Sequence, residues 1–394
     1  MYDFDEVVKR RETKCVKWDG WKREGKPEDI IPLWVADMDF KTLPEVTEAI
    51  IKRAEHEIYG YSMAGDEYYQ AVCGWMKRRH DLDVLPQQVV TTTGVVTALK
   101  LAVNAFTKPG DAIIINKPVY YPFDFSIDEN ARKKIECPMT FTGSEYVLDY
   151  DLFEQLIIAH DVKMYILCNP YNPIGKVWKK DELKKIGDIC KKHHVIVASD
   201  EIHQDFVYPG HQHIPFVNVD DSFKEFSFIC SAPSKTFNLA GLQTSNILFF
   251  NQVLQDTFVK AKSALGFPVE PTIFGYEACQ AAYTYGDTWV DELVAYLDGN
   301  INYLDRFLKE KLPMIKMIKP QGLYLVWVDF RALNMSHEEL EAFMLNEAKL
   351  WLDEGYIFGT GGEGFERFNL AMPRSLLKQA LDNLYEALKN KGIV

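Results

Sequence analysis

From about residue 88 to residue 250 the chain alternates short runs of β-branched and apolar residues with stretches whose apolar positions recur at helical spacing. VVTTTG is followed by VVTALKLAVNAF, and the runs DAIIINKP, KMYILCNP, VIVASDE, FSFICSAP and SNILFF come after it. Short buried runs separated by helical patterns predict a mostly parallel sheet with helices on both faces, a doubly wound α/β core. Beyond the helical stretch YEACQAAYTYGDTWVDELVAYLDGNINYLDRFLKEKL, turn residues lead into GLYLVWVDF and then RFNLAMPR. These predict strands of a second, smaller α/β unit, with a boundary near Gly286. No internal repeat or low-complexity tract interrupts the pattern.

The polar residues that punctuate this pattern matter most. Gly94, Tyr120, Asn172, Asp200 and Lys235 each follow the end of a strand-like run. Ligands of open α/β sheets bind outside the carboxyl ends of the strands, so the pattern gathers these residues on one edge.

Composition narrows the class. A chain of 394 residues has room for two domains and a large core without disulfides or metals. No apolar run approaches the ~18 residues of a membrane span, and the start MYDFDEVVKRRETKC has no apolar core for a secretion machinery. A soluble, cytoplasmic protein is expected. The net charge of -13 opposes a nucleic-acid partner, and KVWKKDELKKIGDICKKHH, with Leu183, Ile186 and Ile189 at helical spacing, predicts the wet face of a helix. The seven cysteines are scattered and form no CxxC pair, against a disulfide framework or a structural zinc site. Cys168 and Cys230 lie inside apolar runs and read as buried thiols, and no metal site is expected.

SFICSAPSKTFNLAGL carries Lys235, and VIVASDEIH carries Asp200 in the same kind of place. Pyridoxal phosphate needs this pair: an amine to attach its aldehyde and a carboxylate to keep its ring nitrogen protonated. Following an apolar run and flanked by Ser231 and Ser234, Lys235 is expected to be desolvated and its pKa lowered from the usual ~10.4. The serines could donate to a phosphate. Gly94 before a helical stretch would offer backbone N–H groups to the same phosphate. Asn172 lies between two prolines in CNPYNPIGKVW, as cofactor ligand or ordinary turn. Asp200 could instead cap a turn, His203 could meet the ring or be a core histidine, and Tyr120 in KPVYYPF could stack or simply pack. Arg374 in RFNLAMPRS could grip a carboxylate with its planar fork or form a surface ion pair. GTGGEGF leads into a strand-like run instead of a helix, so it reads as a decoy for a dinucleotide loop. His211 and His213 read as a polar loop.

Taken in order, TTGVVTAL, KPVYYPF, CNPYNPIGKVW, SDEIHQDFVY, SAPSKTFNLAGL and RFNLAMPR resemble the fold type I pyridoxal phosphate enzymes, specifically the MalY/PatB branch of carbon–sulfur β-lyases, the cystathionine β-lyases. PLWVADMDF and YGYS are similar to that branch too, so the resemblance runs from residue 34 to residue 374. It implies a large domain with a mostly parallel seven-stranded sheet flanked by helices, plus a smaller α/β C-terminal domain. The implied division is 1–45 as N-terminal arm and part of the small domain, 46–285 as cofactor domain and 286–394 as small domain. It further implies that Lys235 carries the cofactor, Asp200 pairs with its ring nitrogen, and Asn172 and His203 meet its phenolic oxygen. Tyr120 would stack on the ring, with Gly94, Val95, Val96, Ser231 and Ser234 on the phosphate. Arg374, Asn172 and Tyr61 would meet the substrate, Tyr61 being lent to the neighbouring subunit of a homodimer with shared sites. His203 and Gln243 stand where the wider superfamily often has tyrosine and arginine, which leans toward the lyase branch. The implied reaction is α,β-elimination of L-cystathionine, L-cysteine or cysteine S-conjugates to a thiol (homocysteine or hydrogen sulfide), pyruvate and ammonia. An aminotransferase on the same scaffold is the rival reading, and a regulatory protein retaining the fold is a more distant one.

Overall fold

The computed structural model of the chain describes residues 1–266 and 269–394. The β-branched and apolar runs are strands because they are covered on both faces: every residue of Ala112–Lys117, Met164–Cys168 and Ser227–Ser231 is buried. The large sheet runs in the order Val89–Thr92, Ser245–Phe249, Ser227–Ser231, Ile196–Asp200, Met164–Cys168, Ala112–Lys117, Lys133–Phe141 and Tyr146–Leu148. From Ser227–Ser231 to Lys133–Phe141 neighbours are parallel. Val89–Thr92, Ser245–Phe249 and the hairpin strand Tyr146–Leu148 pair antiparallel.

Among the described residues the sheet thus has eight strands, where seven were expected. Lys133–Phe141 and its hairpin return lie at the edge, and Lys133–Phe141 mixes exposed, half-buried and buried positions, so no continuous apolar run announces it.

Alternate residues of the strands feed opposite cores. Val90, Phe228 and Ile247 join the core that holds the helix Val95–Phe106, whereas Val89, Ile229 and Leu248 join the one that holds the helices Asp66–His80 and Ile273–Tyr285. The lysine-rich helix Lys180–Lys192 buries Leu183, Ile186 and Cys190 and leaves Lys180, Lys185, Lys191 and Lys192 exposed.

A second, antiparallel sheet runs Lys316–Met317, Leu325–Asp329, Phe365–Asn369, Asp353–Glu354. The helices Asp287–Lys311 and Arg374–Asn390 pack with it through Leu293, Leu297, Leu377 and Leu381. The N-terminal strand Ile31–Pro32 pairs with Leu350–Trp351, tying the start of the chain to this unit. The segment that follows, residues 33–43, has neither helix nor strand and runs past the carboxyl edge of the large sheet.

Candidate active site

Asp200 is the last residue of its strand, and Lys235 sits in the one-turn helix Pro233–Thr236 just after the neighbouring strand. Because the central strands are parallel, the turns carrying Tyr120 and Asn172 emerge on the same side. Two successive antiparallel steps restore that direction for Val89–Thr92, so Gly94 joins them. The result is a cavity of about 190 Å³ lined by Gly94, Val95, Val96, Tyr120, Asn172, Asp200, His203, Ser234 and Lys235, together with Ala36, Cys168, Gln243 and several neighbours.

Burial sets the electrostatics here. Desolvation, then the nearby Arg367 guanidinium, lowers the Lys235 amine to about 8. Its Nζ donates to the Ala36 carbonyl at 3.1 Å. Desolvation raises the Asp200 carboxyl to about 7, although its Oδ1 accepts the Ile202 N–H at 3.2 Å. For His203, burial and then the charges of Lys235 and Arg367 hold the imidazole well below its ordinary value, so it is neutral. Burial likewise keeps Tyr120 a neutral phenol and Cys168 a protonated thiol.

The cavity fits pyridoxal phosphate. The His203 Nδ1 is buried without a hydrogen-bond partner among the described residues, an acceptor or donor awaiting a polar atom. A buried carboxyl lifted to about 7 becomes a stable anion once a protonated ring nitrogen lies beside it. Gly94, at φ 145° and ψ 157°, has a backbone that side-chain-bearing residues avoid, and it opens the helix Val95–Phe106 toward the cavity as an anion site.

Contrary to expectation, Arg374 lies apart from this cavity. It begins the C-terminal helix, its Nε donates to Asn300 Oδ1 at 2.5 Å and its guanidinium lies over the Tyr303 ring, and it does not line the cavity. The cation beside Lys235 is Arg367, earlier in the same motif and 2% exposed. Its Nη1 donates to Asn172 Oδ1 at 3.1 Å, and its Nη2 donates to the Trp34 carbonyl at 2.8 Å and pairs with Asp353. An arginine at the head of the strand-like run RFNLAM was the signal available, since such residues are buried only when engaged.

Ser231 also departs from expectation. It is a strand residue whose Oγ accepts Gln204 Nε2 at 2.9 Å, and it is not in the cavity wall, while Ser234 is. Tyr61 is 90% exposed, in residues 57–65, which have neither helix nor strand, and is not in the cavity wall of its own chain. His213 is buried against Glu201, Nε2 to Oε2 2.9 Å, unlike a polar loop residue, whereas His211 is exposed. Among the described residues no helix is long and apolar enough to cross a membrane.

Comparison with known proteins agrees with this geometry. The sequence signature of the family described as aminotransferase class I and II matches residues 28–384. The chain belongs to that family, in the branch that holds PatB and MalY. It is 40% identical over 386 residues to the cystathionine β-lyase PatB of Bacillus subtilis (strain 168), covering 98% of this chain and 100% of PatB. It is 31% identical over 390 residues to MalY of Escherichia coli (strain K12), covering 99% of each. The crystal structure of cystalysin from Treponema denticola, which contains a pyridoxal 5'-phosphate cofactor, superposes with a TM-score of 0.96 at 40% identity over 99% of this chain and 100% of that one.

Proposed function

We propose that this chain is a pyridoxal phosphate-dependent carbon–sulfur β-lyase that cleaves L-cystathionine, L-cysteine or cysteine S-conjugates to a thiol, pyruvate and ammonia. The observation that carries the reading is one cavity wall that holds Lys235, Asp200 and the neutral His203, with Arg367 reaching it through Asn172. Kinship with named cystathionine β-lyases over the full chain supports it.

The cofactor, when bound, supplies an electron sink for negative charge developing at the substrate α carbon. Lys235 anchors it and, once released, takes the α proton on Nζ, a base that burial and Arg367 have brought to about 8. With the cofactor bound, Asp200 would hold the proton on the ring nitrogen, Tyr120 would cover the ring face, His203 and Asn172 would meet its phenolic oxygen, and Gly94, Val95, Val96 and Ser234 would hold the phosphate. Arg367 receives the substrate α-carboxylate, with Asn172 Oδ1 and Asp353 fixing its fork. Charge at the α carbon then expels a thiolate from the β carbon, and the three-carbon enamine that is released is hydrolysed by water to pyruvate and ammonia.

The active unit is a homodimer in which Tyr61 enters the partner's site. The exposed apolar neighbours Ile58, Tyr59 and Met63 support this, since such clusters belong at interfaces. Reduced thiols at all seven cysteines suit a cytoplasmic enzyme. The test is to supply the loaded protein with L-cystathionine and a 2-oxo acid together. Thiol release without transfer of the amino group supports the lyase; amino transfer without thiol makes the chain an aminotransferase.

A further inference from the structure

Ala36 is the residue of the segment 34–40 that lines the cavity, and its carbonyl accepts from Lys235 Nζ at 3.1 Å and from the Tyr324 hydroxyl at 2.9 Å. Without helix or strand, this segment is held by single hydrogen bonds: the Asp39 N–H donates to the Ala371 carbonyl at 2.9 Å, and Asn238 accepts from the Met38 N–H and donates to the Met38 and Phe40 carbonyls at 2.8 to 3.0 Å. One side is fastened by contacts from the strand that bears Arg367: Asn369 Nδ2 donates to the Val35 and Asp37 carbonyls at 2.6 and 2.7 Å.

The other side meets a closed charge cluster from the N-terminal arm. Lys17, fully buried, donates to Asp39 Oδ2 at 2.8 Å and to the Asp37 carbonyl at 3.3 Å. Arg10 donates to Asp39 Oδ1 at 2.6 Å, to the Met38 carbonyl at 2.9 Å and to Asp37 Oδ2 at 2.7 Å. Trp18 Nε1 adds a bond to Asp39 Oδ1 at 2.7 Å. Burial alone would raise the Asp39 carboxyl; Lys17 and Arg10 outweigh it and hold it below its ordinary value. Apolar packing of the same volume would stabilise the fold as well or better, because desolvating charges is costly. What the cluster provides that apolar packing does not is direction: hydrogen bonds at fixed angles to an irregular backbone, ending one residue from Ala36.

We infer that Lys17 and Arg10, through Asp37 and Asp39, are positioning residues that place the Ala36 carbonyl as the acceptor orienting the free amine of Lys235. The inference rests on Lys235 being the reacting amine of the proposed lyase.

Lys17→Met removes the charge and keeps the bulk. In the full loaded protein it should lower kcat by about tenfold or more with KM changed less than about threefold, the mark of a lost transition-state arrangement. Amide exchange across residues 34–40 should rise by about tenfold, a local opening. Lys17→Arg should restore both. Trp18→Phe, a milder change for the case in which Lys17→Met does not fold, should move both in the same direction. Glu292→Gln, which removes the charge facing the N-terminal amine of Met1 at the far end of the arm, should move neither. Unchanged exchange in Lys17→Met, or faster exchange with wild-type kcat, overturns the inference. If the wild type has no lyase turnover, the functional reading fails by itself and the exchange result still judges the positioning.

Discussion

At the residue scale, Asp200 shows function opposing stability. Burial lifts its carboxyl from the ordinary range to about 7. A group raised in the folded state contributes stability that is present below its unfolded pKa of ~3.9 and lost as pH rises through about 7. Asp200→Asn is therefore expected to melt higher than the wild type at pH 8, with both proteins free of cofactor, and to match it near pH 3.5. The same variant should lose most turnover, at least ~100-fold, because an amide cannot keep the ring nitrogen protonated. Calorimetry and a pyruvate assay check the two halves.

Arg367 and Arg374 make a matched pair for mutation. Losing a charge-assisted bond worth ~1.5 to 3 kcal/mol, Arg367→Ala should weaken kcat/KM for amino-acid thioethers by about 10- to 150-fold. Arg374→Ala should alter kcat/KM by less than about threefold, since its partners are Asn300 and Tyr303. The reverse ranking would return the carboxylate to Arg374. The sequence made Lys235 and Asp200 legible because each is a charge at the end of an apolar run. Arg367 lies among polar and apolar residues, with Glu366 before it and Asn369 two residues on, and only the fold shows that Asn172, the Trp34 carbonyl and Asp353 engage it.

Among elements, the short strand Asp353–Glu354 and the strand Phe365–Asn369 form a ladder with two charged rungs. Asp353 opposes Arg367, and on the next rung Glu354 opposes Glu366. Like charges directly opposite in a sheet destabilise it, and burial sharpens the conflict. Desolvation, then Glu341 and Asp353, lifts Glu354 to about 7, and desolvation with Glu354 raises Glu366. Both are raised, so the contribution of each is present below ~4.3; that of Glu354 is lost as pH rises through about 7, and that of Glu366 as pH rises through its own raised value. Glu366→Gln is expected to raise Tm at pH 8 by a few degrees, at about 2–4 °C per kcal/mol, and to leave it unchanged near pH 4. An equal shift at both values would mean the gain is not electrostatic. The core strands were legible because both faces are covered and their text is continuously apolar. Lys133–Phe141 escaped because an edge strand with one wet face mixes lysine and glutamate into its text.

For the whole molecule, a shared site makes a prediction that no single-chain site can satisfy. Lys235→Ala and Tyr61→Ala proteins should each be nearly inactive. Mixed and allowed to exchange subunits, they should regain about a quarter of wild-type activity, since half of the dimers are mixed and each has one intact site of two. No recovery on verified subunit exchange would confine Tyr61 to its own chain. Tyr61 itself was legible through its motif only by resemblance. Nothing in its local pattern distinguishes it from a solvent-facing tyrosine, and within one chain it remains 90% exposed.

The most direct test of the central claim is product stoichiometry from L-cystathionine, with the loaded wild type and Lys235→Ala assayed side by side. The account predicts equal amounts of pyruvate and thiol from the wild type and almost none from Lys235→Ala. Pyruvate and thiol at wild-type rates from Lys235→Ala, or no thiol from a fully loaded wild type, would contradict it.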